Sequence, residues 1–99
     1  MTTAVESDAP VRLGGIAPLV LEWVLLSIDR NHGRPVHISA VRLADAFGVS
    51  IRTAERTAAR LHESGRVVYE RPRWYPETRY ESVHHMPGRY SLPAPADGR

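Results

Sequence analysis

The chain has 99 residues, with 13 Arg and no Lys against 11 acidic residues, no Cys and a formal charge of +2. That length gives one domain with a modest core and leaves no room for a separate sensor domain or a roomy ligand cavity, so no small-molecule ligand is expected. Without Cys there are no disulfides, thiolate zinc sites or cysteine nucleophiles, and with neither a bilayer-length apolar run nor a signal-type start the expectation is a cytoplasmic protein with no membrane partner.

Charge is unevenly placed. Residues 1–50 balance at −1 and residues 51–99 at +3, so the basic surplus lies in the second half, where a footprint for a polyanion is expected. Residues 1–15 mix Thr, Ser, Asp, Pro and Gly with few apolar anchors and read as a flexible arm whose only basic residue is Arg12.

Pro18 to about Arg30 reads as a first helix, with Pro18 suited to its first turn and Gly33 to its stop. Advancing 100° per residue, only Glu22 and Asp29 make a polar wedge, while Leu19, Trp23 and Leu26 face one way and Val20, Leu21, Val24, Leu25 and Ile28 cover most of the rest. A helix apolar nearly all round is buried nearly all round. One small core covers one side, so the second side, Val20, Leu21, Val24, Leu25 and Ile28, is expected in the seam of a homodimer. The competing expectation is that the C-terminal strands fold over it.

Residues 34–38, Arg-Pro-Val-His-Ile, are short and β-prone. Ser39 then caps a helix over Ala40–Phe47, which brings Val41, Leu43, Ala44 and Phe47 to the core. Gly48 closes that helix in a left-handed conformation and Ser50 caps the next, over residues 50–64. On this later helix Ala54, Ala58 and Leu61 fall on one side, and Arg52, Arg56 and Arg60 recur at i, i+4, i+8 on the other with the small Ala59 beside them. Such a row suits a reader of the major groove, because guanidinium bonds guanine bidentately or clamps phosphate. The plainer reading is a solvated face of mixed charge, with Glu55 and Glu63 nearby.

Residues 66–71 alternate as a strand. Residues 72–87 hold three prolines, Trp74, Tyr75, Tyr80 and the pair His84-His85, with Arg73 and Arg79 interleaved. They read as a long hairpin with its tip between Arg73 and Arg79, at least one of Trp74 and Tyr75 packed beneath it, and residues 79–83 extending the returning strand. Met86-Pro87-Gly88 is expected as a turn before a closing strand over residues 89–92, and residues 93–99 as a tail. Adjacent histidines in a strand face opposite ways, so His84 and His85 are not expected to share a metal.

From Leu43-Ala44 through Phe47-Gly48-Val49-Ser50, Thr53, Arg56 and Leu61 to Gly65 and Val67-Val68, the chain resembles the winged helix-turn-helix family of bacterial transcription regulators. The resemblance spans residues 16–92 and is strongest over residues 38–68. Ala54 and Ala58 are smaller than the aliphatic residues usual there, which leaves space for Trp23 and Phe47 to fill.

The resemblance implies an α+β domain, three helices with a small β-hairpin wing. It also implies a sequence-specific regulator of double-stranded DNA, a dimeric repressor. In that reading Ile51, Arg52, Thr53 and Arg56 touch base edges. Ser50 and Arg60 bind backbone, and Arg71, Arg73 and Arg79 on the wing meet phosphate or the minor groove. A two-fold dimer would take an inverted repeat with half-sites about one helical turn apart. No cofactor, metal or catalytic activity is expected. The alternatives are a protein-interaction module on the same scaffold and an accessory factor of recombination or replication.

Overall fold

A computed structural model of the protein describes residues 14–74 and 77–94. The expected arm up to residue 13, Tyr75 and the tail from residue 95 lie outside the described residues. Among those described there are three α-helices and one three-stranded antiparallel sheet, an α+β architecture. In chain order they are helix α1 (Ala17–Arg30), strand β1 (Val36–Ser39), helices α2 (Ala40–Phe47) and α3 (Ile51–Glu63), strand β2 (Val68–Glu70), a 3-10 turn (Val83–His85) and strand β3 (Pro87–Ser91). That order is compatible with a winged-helix-like layout.

The boundaries follow from local chemistry. Ser39 Oγ accepts from the Arg42 amide at 3.0 Å and Ser50 Oγ from the Thr53 amide at 3.1 Å, so both short helices start on the hydroxyl caps read from the sequence. Gly48 ends α2 at φ 65°, where a residue with a Cβ would be strained. Helix α1 starts differently. Pro18 sits in its first turn, and Ile16, at its N-cap, makes no side-chain cap. It ends where the Gly33 amide donates to the Ile28 carbonyl at 2.9 Å, and the Asn31 side-chain amide donates to the Pro35 carbonyl at 2.9 Å, leading the chain into β1.

Strand order is β1-β3-β2. Val36 and Tyr69 flank Tyr90, and Glu70 stands opposite Arg89, with which it forms a 3.3 Å ion pair. The ring of Tyr69 lies so close over Gly88 that an added Cβ would meet Tyr69 Cε1 at 2.6 Å. Met86-Pro87-Gly88 is therefore not a turn. Proline opens the strand, where its missing N–H costs least, and glycine makes room for the ring. Nor do residues 79–83 extend the returning strand, since the chain reaches β3 through the 3-10 turn capped by Ser82.

The core joins Val20, Val24 and Ile28 of α1, Leu43 of α2, Ala54, Ala58 and Leu61 of α3, and Val67 and Tyr90. Here the expected seam is corrected. Val20, Leu21, Val24 and Ile28 are buried within the single chain, and Leu25 is half-buried against the same core. Helix α3 and strand β3 cover the side assigned to the seam, while on the other side Leu19 (60% exposed) and Leu26 (48%) face out. Trp23 and Phe47 meet edge to face, 5.5 Å between ring centres, and pack at the margin of the core. Trp74 does not tuck beneath a hairpin; it is 47% exposed.

Candidate nucleic-acid interface

Helix α3 is a ridge with a narrow apolar underside. Ala54, Thr57, Ala58 and Leu61 are buried, and the Thr57 hydroxyl is satisfied by the Thr53 carbonyl at 2.7 Å. Small side chains below let the helix lie close to α1 and α2, and Arg52, Arg56, Ala59 and Arg60 are left exposed along the crest. Open hollows flank it. One, of about 580 Å³, runs past Gly15 and Ile16 beside Arg56 and Arg60. The other, of about 220 Å³, is lined by Arg52, Glu55, Arg56, Ala59, Tyr69 and Arg71. Arg56 and Ala59 border both.

Arg71, at the exit of β2, is thus brought to the arginine row. Arg73 and Arg79 are exposed on the connection between β2 and β3 and line neither hollow. Ile51 turns partly inward and packs against the core, which withdraws it from the outward face where base contact was expected. Ser50 is exposed, but its hydroxyl already donates to Thr53 Oγ1 at 3.0 Å while capping the helix. Thr53 is half-buried beside it.

The plainer reading is a solvated face of mixed charge, and Glu63 does line the first hollow with Arg56 and Arg60, so the ion pairs bear on how far the acids compensate the row. Among the described residues these are Glu55–His84, Glu81–His85 and Glu70–Arg89. None involves Arg52, Arg56, Arg60, Arg71, Arg73 or Arg79. Glu55, the acid nearest the row in sequence, is bound at 2.6 Å by His84 Nδ1 from the 3-10 turn. Sequence reasoning missed this contact because the partners lie 29 residues apart and no local pattern joins them.

Two further groups shape the flank. His62 Nδ1, near the end of α3, accepts from the Tyr69 amide at 3.1 Å and ties the helix to β2. Burial raises the Tyr69 hydroxyl above its ordinary pKa of 10.0, with Arg71 opposing the shift and Glu55 adding to it. Tyr90, stacked at 4.8 Å on Tyr69, is raised much further, by burial first and by Tyr69 second.

His84 and His85 sit in the 3-10 turn, not in a strand, so the opposite-faces argument does not apply to them. His85 Nδ1 bonds the Ser82 hydroxyl at 3.0 Å, and among the described residues no group of three or more His, Asp or Glu could hold a metal ion. No helix among those residues is long and apolar enough to cross a membrane.

No protein-family model matches the chain, and no curated protein or solved structure is significantly similar to it.

Proposed function

We propose that the chain is a winged helix-turn-helix protein that binds double-stranded DNA and regulates transcription as a repressor, with α3 in the major groove. One observation carries this reading: Arg52, Arg56 and Arg60 stand on the crest of a capped helix, exposed and without an acidic partner. Three guanidinium groups in a row without an ion pair form a basic strip that a polyanion can neutralise. A helix of small underside that rises between two hollows also has the shape to enter a groove about 12 Å wide. Arg52 and Arg56 reach base edges in this reading, while Arg60 and Arg71 take backbone phosphates. Arg73 and Arg79, on the connection between β2 and β3, meet phosphate or the minor groove in the same reading. An accessory factor of recombination or replication would use the same surface.

The test is titration of a duplex pool at several salt concentrations. Affinity should fall steeply with salt, and Arg52→Ala with Arg56→Ala should lower it by about 100-fold while leaving stability within about 0.5 kcal/mol. Binding equally tight from low to high salt, or binding that survives the double substitution, would sink the proposal. A protein-interaction module is the second reading, favoured by Leu19 and Leu26 standing exposed on α1. Recovery of a stoichiometric protein partner from a chain with no DNA affinity would select it.

A further inference from the structure

Glu55 is the anomaly of the arginine surface. It occupies α3 between Arg52 and Arg56 and lines the same hollow as Arg52, Arg56 and Arg71. A carboxylate so placed has an obvious alternative partner. Arg52 lies three residues back on the helix, whereas Ala59, at i+4, offers nothing, and Arg71 faces it from the end of β2. Instead its Oε2 is taken at 2.6 Å by His84 Nδ1. That nitrogen donates in the neutral Nδ1–H tautomer and in the cation alike, and bonds to a carboxylate are among the stronger ones.

The histidine is itself held in place. The Ser82 hydroxyl accepts from the His84 amide at 3.2 Å and bonds His85 Nδ1 at 3.0 Å, and the turn packs against α2. The contact thus joins the 3-10 turn to the first half of α3.

We propose that His84 is a positioning residue for the DNA-facing surface: by binding the Glu55 carboxylate it keeps that charge from pairing with Arg52 and Arg71, so that the arginines meet phosphate uncompensated. This rests on the DNA-binding reading. Freed from His84, Glu55 would pair with one arginine and neutralise it at the rim of the interface, where phosphate would otherwise meet it.

Four variants test it: His84→Ala, His84→Asn, Glu55→Gln and the double variant His84→Ala/Glu55→Gln. His84→Ala should weaken duplex binding about two- to fivefold, the range of a solvated ion pair, and lower the salt dependence by about one phosphate contact. His84→Asn keeps an amide donor near the place of Nδ1 and should bind as the wild type does. Glu55→Gln should bind at least as well, and adding it to His84→Ala should restore what was lost. A merely structural His84 gives a different pattern, in which the double variant is as weak as His84→Ala; that result, or full affinity in His84→Ala, overturns the proposal.

Nuclear magnetic resonance of the free protein separates the two readings. In His84→Ala the Nε–Hε signals of Arg52 or Arg71 should shift, and in His84→Asn and the double variant they should not. If neither the wild type nor any variant binds DNA but those shifts appear, the DNA reading fails and the positioning holds. If the shifts are absent, the positioning fails whatever the DNA result.

Discussion

Helices α1 and α3 have almost the same length, 14 and 13 residues, and are stabilised in different ways. Helix α1 buries Val20, Val24 and Ile28 and does without a side-chain cap. Helix α3 buries mainly alanines with Leu61, so it removes less apolar surface from water, and it starts on a serine that satisfies an orphan amide. What each leaves outside also differs: Leu19 and Leu26 on the first, arginines on the second. A helix that anchors by burial can be apolar over most of its surface. One that must offer charge on its crest relies more on its end and on close approach by small residues.

The largest effect that would test this contrast is in the core of α1. Ile28→Ala should cost about 2–5 kcal/mol by urea unfolding, against at most about 0.5 for Leu19→Ala on the outward side. Similar losses at both would mean that Leu19 is buried as deeply as Ile28.

Next comes an alkaline titration of the core that α1 shares with Tyr90. Because its folded pKa is raised, Tyr90 contributes full stability below its unfolded value of 10.0 and loses it as pH rises beyond that value toward the folded one. Tyr90 alone should lower the unfolding free energy by about 1.4 kcal/mol between pH 9 and pH 11, and Tyr90→Phe should remove that part of the slope. Tyr69, raised as well, adds its own share in the same window, and the chain has neither Lys nor Cys to add more. A flat profile in the wild type would show that Tyr90 is hydrated.

The cap is worth less. Ser50→Ala should destabilise by about 1 kcal/mol, read by thermal unfolding, and a neutral result would remove the claim that α3 depends on its end. Smallest of all is Leu19→Ser with Leu26→Ser. Monomer stability should change by about 0.5 kcal/mol or less. If two copies pair through α1, sedimentation at high concentration should shift to the monomer value, and an unchanged dimer would exclude this face from the seam.

Much of the fold was legible where the signals are local. The helix spanning Ala40–Phe47, the Gly48 stop, both serine caps and the burial of Ala54, Ala58 and Leu61 each depend on residues within one or two turns of one another. The outward Arg52, Arg56 and Arg60 followed from the same periodicity. The orientation of α1 did not, because a wheel with two apolar sides cannot say which of them α3 and β3 will cover. Nor did the start of β3, whose Pro87 and Gly88 look like a turn until Tyr69 is seen lying over the glycine. The Glu55–His84 contact was hidden for the same reason: only the folded chain brings its partners together.

The middle position of β3 also bears on how the domain forms. Both edge strands bond to it and not to each other, and it is the last of the three to be synthesised. Strand β1 therefore waits, with no ladder to join, until residues 87–91 have emerged, some fifty positions later. A chain stopped before Pro87 loses every strand pair at once. The helices form from nearby contacts, while sheet closure spans most of the sequence, so zipping of the sheet should set the folding rate.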